Sequence, residues 1–334
     1  MGQPMTPADQ QTALAKNTPI YVAGHRGMVG QALVRALHRD GYRSLITATH
    51  AQLDLTDQGA VRQFFAKEKP QVVFLAAAKV GGIHANNTYR ADFIYQNLAI
   101  QTNVMESAYR AGVQRLLFLG SSCIYPKNAP QPMAESALLT GPLEPTNQPY
   151  AIAKISGIEM AWSYNRQYGT RFLAVMPTNL YGVGDTYHPD NSHVIPGLIR
   201  RTDECKRSGA KELVIWGTGT PKREFMDSED MANACVYLMT LPPHRVDSLF
   251  SDQAPPLVNI GTGQELSIAD LARLICEVVG FKGHLRFDAD KLDGTPRKLL
   301  DIDRLTQLGW RAQISLKAGL ERAYADYLQQ SHPA

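Results

Sequence analysis

A doubly wound α/β fold, with a parallel sheet and a smaller C-terminal α/β portion, is predicted by three observations. Apolar, β-rich runs alternate with helical patterns along the first half of the chain. The turn Gly24-His-Arg-Gly27-Met-Val-Gly30 directly follows the first such run and directly precedes the first helical pattern. Tyr150 and Lys154 stand four residues apart, on one face of a later helix.

Ile20-Tyr-Val-Ala23 is expected to be the first strand, followed by a helix from Met28 to about His38. Leu45-Ile-Thr-Ala48 (strand), Gln58 to Phe65 (helix) and Val72-Val-Phe-Leu75 (strand) continue the alternation. Asp92 to Ala111 is expected as a long helix, Leu116-Leu-Phe-Leu119 as a strand, Tyr150 to Tyr168 as a helix and Phe172-Leu-Ala-Val-Met176 as a strand. Tyr181 to Ser192, rich in Gly, Pro, Asp and Asn, marks where the chain leaves the first domain. Residues 18–185 are thus assigned to a cofactor-binding domain, with roughly 225–262 returning to it. The segments 186–224 and 263–330 are assigned to substrate binding. Leu241-Pro-Pro and Ala254-Pro-Pro are expected to bracket a surface loop.

Composition excludes several classes. Of 334 residues, 44% are hydrophobic, enough for a sizeable core. With 34 basic and 31 acidic side chains the net charge is +3, too small and too dispersed to argue for nucleic acid or an anionic membrane. Cys123, Cys205, Cys235 and Cys276 lie far apart without a Cys-x2-Cys pair, so neither a disulfide framework nor a metal site is indicated, and a reducing cytoplasm is expected. Residues 1–17 show neither a basic start nor an apolar run and are expected to be a disordered extension. No stretch approaches the roughly 18 uninterrupted apolar residues of a membrane helix.

The glycine turn lets a pyrophosphate approach the backbone of Gly24, His25, Arg26, Gly27, Met28, Val29 and Gly30, where a helix start supplies unpaired N–H groups. The bland alternative is an ordinary tight turn. An acid about 20 positions on would hold ribose hydroxyls in an NAD site; Thr49 and His50 stand there instead. Arg26 suits a 2′-phosphate, so NADP is the expected cofactor, with Asp54 placed toward the adenine edge.

Tyr150 is the only tyrosine with a lysine four residues on. A phenol near pKa 10 must fall by about 3 units to exchange protons readily at neutrality, roughly 4 kcal/mol. One ammonium at about 4 Å supplies roughly that at an effective dielectric near 20. Ser121 follows the strand ending Leu119-Gly120, where ligands bind in open α/β sheets, and its hydroxyl can hold a carbonyl oxygen. A surface helix pair beside a turn serine is the alternative.

The glycine turn, Ser121 and Tyr150-x3-Lys154 together resemble the extended short-chain dehydrogenase/reductase family, with a Rossmann-type fold. Further blocks narrow the likeness: Ala76-Ala-Ala-Lys-Val-Gly-Gly-Ile83, Gly120-Ser-Ser-Cys-Ile-Tyr-Pro126, Glu144-Pro-Thr-Asn-Gln-Pro-Tyr150, Pro177-Thr-Asn-Leu-Tyr-Gly182, Asn191-Ser-His-Val-Ile-Pro196 and Asp293-Gly-Thr-Pro-Arg-Lys298. These resemble the epimerase-reductases of GDP-4-keto-6-deoxymannose, over about residues 18–330. The resemblance implies an NADPH-dependent 3,5-epimerisation followed by 4-keto reduction. It places Cys123 and His193 at the proton-transfer positions, Tyr150 as proton donor, and Lys154 and Ser121 as its supports. A thiol and an imidazole have unperturbed pKa values bracketing neutrality, as that task needs. It further implies Ala76, Ala77, Pro177, Asn179, Leu180 and His193 around the cofactor. Arg201, Trp216, Arg223, Asp293 and Lys298 then face a GDP-sugar, in a homodimer built through the Asp92 and Tyr150 helices.

One departure is His50, where the family often carries a second arginine for the 2′-phosphate. The competing readings are an NAD-retaining nucleotide-sugar 4-epimerase or 4,6-dehydratase, and a non-enzymatic NADP sensor. Ile124 and its neutral neighbours lack the acidic pair of such a dehydratase, and the joint presence of Ser121, Tyr150 and Lys154 argues against a mere sensor.

Overall fold

The computed structural model describes residues 14–189, 192–291 and 293–331. Most of the expected N-terminal extension, and Asn191, lie outside them. The described end of that extension is packed: Leu14 lies against the core, and Lys16 sits 4.1 Å over the Tyr42 ring.

Six parallel strands form the central sheet: β1 (Ile20–Ala23), β2 (Leu45–Ile46), β3 (Val72–Leu75), β4 (Arg115–Leu119), β5 (Phe172–Pro177) and β10 (Leu257–Ile260). Their order is β10-β5-β4-β3-β1-β2. These strands read as unbroken apolar runs because both faces are covered. Alternate residues serve different layers. Ile20, Val22, Val72, Phe74, Leu117, Leu173 and Val175 pack on one side, against α1 (Met28–Arg39) and α7 (Ser228–Thr240). Tyr21, Ala23, Val73, Leu75, Leu116, Phe118 and Ala174 face the other side. That layer contains α2 (Gln58–Glu68), α4 (Arg90–Arg110) and α5 (Gln148–Tyr168). The chain winds outward from β1 to β2 and then crosses to β3, so the topological switch lies between β1 and β3.

The C-terminal part is built from short elements. After the helical turn α3 (Ile83–Thr88) and the segments above come β6 (Asn179–Tyr181), α6 (Val194–Ser208), β7 (Glu212–Trp216), β8 (Lys222–Arg223) and β9 (Phe225–Asp227). Later come α8 (Pro243–Val246), β11 (Leu266–Ser267), α9 (Ile268–Val279), β12 (His284–Asp288), β13 (Arg297–Lys298), α10 (Asp303–Gln307) and α11 (Leu316–Ser331). A third core joins α6, α9 and α11 to β7 through Ile195, Ile199, Leu213, Leu271, Ile275 and Leu320.

Two expectations need correcting. Tyr181, read as the start of a loop, ends strand β6, which pairs in parallel with β9. The proline-bracketed stretch after Leu241 is not a plain surface loop: Pro243 starts α8, where proline is tolerated, and Val246 and Leu249 are buried.

Helices α4 and α5 pack through Gly157. A Cβ there would lie 2.5 Å from the ring of Phe118, which is fully buried and has nowhere to retreat. We expect Gly157→Ala to lose about 1–3 kcal/mol through overpacking, read as a lowered urea midpoint with an unchanged m value.

Candidate active site

The glycine turn lies at the switch point. Gly24 adopts φ +83, and a side chain there would press on the Ala77 backbone at 2.7 Å, so the turn lies directly on the end of β3. A Cβ on Gly30 would lie 2.0 Å from the Gly24 carbonyl, whereas Gly27 meets nothing nearer than 3.6 Å. The turn is therefore tight inside and open outside. Helix α1 begins with no side-chain cap and no acid in its first turn. Its first N–H groups, with Met28 and Val29 behind them, suit a pyrophosphate. The buried Nδ1 of His25 has no hydrogen-bond partner among the described residues. Arg26 is exposed, and its carbonyl accepts from Gln31 Nε2 at 2.8 Å.

His50 and Asp54 lie beyond β2, both solvent-exposed, with Nδ1 and Oδ1 4.0 Å apart. Asp54 Oδ1 is already engaged by the N–H and hydroxyl of Thr56, at 2.8 and 2.7 Å. These bonds hold its carboxyl below the usual range. At the other flank Ala76 donates its N–H to Ala23, and Pro177 ends β5 beside β10. Asn179 Nδ2 donates to the Glu224 carbonyl at 2.8 Å, and Leu180 pairs with Met226.

Ser121, Cys123, Tyr150 and Lys154 come together. The chain leaves β4 and turns into one 3-10 turn, Ser122–Ile124, whose Cys123 N–H donates to Ser121 Oγ at 3.4 Å. The Ser121 hydroxyl lies near enough to the Tyr150 phenol and the Cys123 thiol to favour the ionised form of each. Burial outweighs it: the phenol is held well above its ordinary value, and proximity to Cys123 adds to that. Burial likewise pushes the thiol up, against smaller opposing influences from Lys298, Ser121 and Lys154. Lys154 Nζ donates to the Leu119 carbonyl at 2.8 Å and lies 4.7 Å over the Phe118 ring. Burial lowers its pKa to about 8, with Cys123 pulling the other way. The depression of the Tyr150 phenol expected from Lys154 is not found: desolvation dominates. The Phe93 ring meets Tyr150 edge-on at 6.2 Å.

His193 stands at the start of α6 without capping it. Ser192, just before it, brings its carbonyl to 4.0 Å from where a Gly82 Cβ would be, so this wall approaches the segment after β3. The His193 ring reaches solvent, yet the surrounding protein lowers its pKa by poor hydration.

The expected substrate residues are linked by a chain of contacts. Lys298 on β13 is in register with Arg223 on β8, and burial lowers the pKa of both cations. A Cβ on Gly294 would sit 2.9 Å from Arg223 Nη2. Neighbouring Asp293 accepts from the Thr218 N–H and hydroxyl at 3.0 and 2.6 Å. A Cβ on Gly217 would collide with Asp293 Oδ1, and Trp216 precedes it, 67% exposed. Arg201 donates to the Val214 carbonyl and lies 5.7 Å from the Trp216 ring centre. Thr218, Phe93 and the buried Glu224 were not singled out from sequence: a hydroxyl in a turn, a core phenylalanine and an acid after an arginine carry no motif. Among the described residues no group of side chains could hold a metal ion, and no helix is long and apolar enough to cross a membrane.

A glycine turn at the switch point and a Ser–Tyr–Lys cluster at the strand ends define a dinucleotide-dependent enzyme of the short-chain dehydrogenase/reductase type. The family model described as "NAD dependent epimerase/dehydratase family" matches residues 20–251, and the chain belongs to that family. It is 57% identical to GDP-L-fucose synthase 1 of Arabidopsis thaliana, over 94% of each chain. It is 55% identical to GDP-L-fucose synthase of Escherichia coli, over 93% of this chain and 96% of that protein. Its fold matches a GDP-L-fucose synthetase from Naegleria fowleri bound to NADP, with a TM-score of 0.87 at 26% identity, covering 96% of both chains.

The lowered Lys154 value carries a pH consequence. The ammonium is charged below about 8 and neutral above it. We expect kcat for ketone reduction to fall as pH rises through that value, and a pH–rate profile flat to pH 10 would remove the ammonium from the rate-limiting step.

Proposed function

We propose that this chain is an NADPH-dependent GDP-L-fucose synthase, converting GDP-4-keto-6-deoxy-D-mannose to GDP-L-fucose by 3,5-epimerisation and then 4-keto reduction. The observation that carries it is the gathering of Ser121, Cys123, Tyr150 and Lys154 at the end of β4, where the Cys123 N–H donates to Ser121 Oγ at 3.4 Å and Lys154 Nζ donates to the Leu119 carbonyl at 2.8 Å. One carbonyl oxygen held there serves both reactions. While it is gripped, the C–H bonds on either side of the ketone are acidified. Cys123 and His193 then act as a pair, one removing a proton from a flanking carbon and the other returning one to its opposite face. Bound NADPH supplies the hydride for the second reaction. Tyr150, kept protonated by burial, gives its proton to the same oxygen, and Lys154 offsets charge on the phenolate left behind.

The glycine turn Gly24–Gly30 and the start of α1 suit the pyrophosphate of the cofactor, with Arg26 and His50 toward its 2′-phosphate and Asp54 toward the adenine. Ala76, Ala77, Pro177, Asn179, Leu180 and His193 border the nicotinamide side. Arg223 and Lys298 face the sugar-nucleotide diphosphate, Trp216 and Arg201 offer a flat surface for the base, and Asp293 takes hydroxyls. The α4–α5 pair is the proposed homodimer face, and the cytoplasm the proposed location.

Absorbance at 340 nm tests the reaction: NADPH is consumed in proportion to GDP-4-keto-6-deoxymannose, and absence of consumption favours an NAD-retaining epimerase instead. In Tyr150→Phe, reduction is expected to vanish while deuterium from heavy water still enters the sugar. In Cys123→Ser, the wash-in is expected to be lost, and epimerisation at full rate would reduce that thiol to packing. Arg26→Ala is expected to lower the ratio of kcat/KM for NADPH over NADH by about 10- to 100-fold, the worth of a charge-assisted contact of roughly 1.5–3 kcal/mol. An unchanged ratio would move the 2′-phosphate elsewhere.

A further inference from the structure

Glu224 is a fully buried carboxylate that the reaction above does not use. Its Oε1 accepts the N–H groups of Thr262 and Gly263 at 2.6 and 2.8 Å, and its Oε2 accepts the Leu300 N–H at 3.1 Å. Burial raises its pKa, and these donors oppose the rise. The fit is tight: a Cβ on Gly261 would lie 2.3 Å from Oε1. Its backbone carbonyl is equally engaged, accepting Asn179 Nδ2 at 2.8 Å and Thr178 Oγ1 at 3.2 Å.

These bonds meet at the junction of two ligand surfaces. Arg223 is the preceding residue, and Lys298 lies two residues before Leu300 and in register with Arg223. Thr178 and Asn179 follow β5, on the nicotinamide side, and the Thr178 N–H donates to Ile260 on β10. Strands β8 and β13 are two residues each, too short to hold their mutual position by ladder hydrogen bonds alone.

We propose that Glu224 is a positioning residue: it locks the Arg223–Lys298 pair to the Thr178–Asn179 segment, so that a diphosphate gripped by the cations sets the sugar at the right place beside the cofactor. The proposal rests on the site reading above. Its chemistry calls for a carboxylate. Three backbone N–H groups converge on two oxygens, and an amide at the same place offers only one acceptor.

Glu224→Gln separates the two ends. Two N–H groups and the Thr262 hydroxyl gather at Oε1, so the amide oxygen keeps that side and the NH2 group turns toward the Leu300 N–H, breaking that link alone. Titration with GDP, and the KM for the keto sugar nucleotide, should each weaken by about tenfold, the usual effect of a lost buried acceptor. NADPH affinity should be retained, while the thermal midpoint falls by the few degrees that one lost buried acceptor costs. Unchanged GDP affinity overturns the proposal, as does an equal loss of GDP and NADPH affinity, which marks a purely structural role.

Hydrogen exchange on the unsubstituted protein tests the same link without a variant. GDP should slow exchange in 297–300 and also in 177–181; protection confined to the first segment overturns the proposal. GDP binding and exchange are read without turnover. Failure to consume NADPH with the keto sugar therefore refutes the assigned reaction while leaving this measurement to decide on Glu224.

Discussion

The bond from the Lys154 ammonium to the Leu119 carbonyl holds this site together. A buried lysine loses its hydration, and among the described residues no carboxylate stands beside this one to replace it. The carbonyl at 2.8 Å and the face of Phe118 at 4.7 Å take the place of water. Geometry follows from that compensation. The bond pins α5 to the carboxyl end of β4, Tyr150 lies one turn earlier on the same helix face, and Ser121 lies two residues past Leu119. Close approach of α5 to the sheet requires Gly157, since any side chain there meets Phe118. A small residue in a helix and a cation at a strand end are thus parts of one arrangement.

Much of this was legible because backbone geometry dictates the spacing. Ile20–Ala23 and Val72–Leu75 read as continuous apolar runs, since a parallel sheet buries both faces. Gly24 and Gly30 are required by contacts with Ala77 and with Gly24 itself, so their spacing records a tight turn. Tyr150 and Lys154 are one helical turn apart for the same kind of reason. The parts that escaped are held by long-range contacts with no periodicity. Strands β8, β11 and β13 are two residues each, and their pairing joins segments more than forty residues apart in sequence. Glu224 joins Thr262, Gly263 and Leu300 across similar separations. The prolines after Leu241 suggested a surface loop, but one of them starts a short helix whose Val246 is buried. Turn-forming residues mark a change of direction without saying which side chains go inward.

Desolvation is the first cause of the pKa shift at Tyr150, Cys123, Lys154, Lys298 and His193 alike, and its effect is uniform in kind. Tyr150 and Cys123 are raised, and Lys154, Lys298 and His193 are lowered, so each neutral form is favoured. Such a site opposes standing charge and, for the same reason, responds strongly to new charge, because the low dielectric that penalises an isolated ion strengthens its attraction to nearby donors and cations.

Both reactions assigned to this chain put negative charge on one atom. Removing a proton beside the ketone sends electrons to its oxygen as an enolate, and hydride addition leaves an alkoxide on the same oxygen. In the proposed scheme the Ser121 hydroxyl and the Tyr150 phenol stabilise either species without moving, and Lys154 lies one turn behind. The difference lies in how each charge is discharged. In the proposed scheme the enolate returns its electrons to carbon when Cys123 or His193 supplies a proton, whereas the alkoxide takes one from Tyr150. A protonated phenol at rest suits this order. It can stabilise the enolate by donating a hydrogen bond, and full proton transfer becomes favourable only at the more basic alkoxide. On the proposed scheme, burial that keeps the Tyr150 phenol protonated suits it to the second step, and Lys154 matters most there, when a phenolate must be left in a buried place.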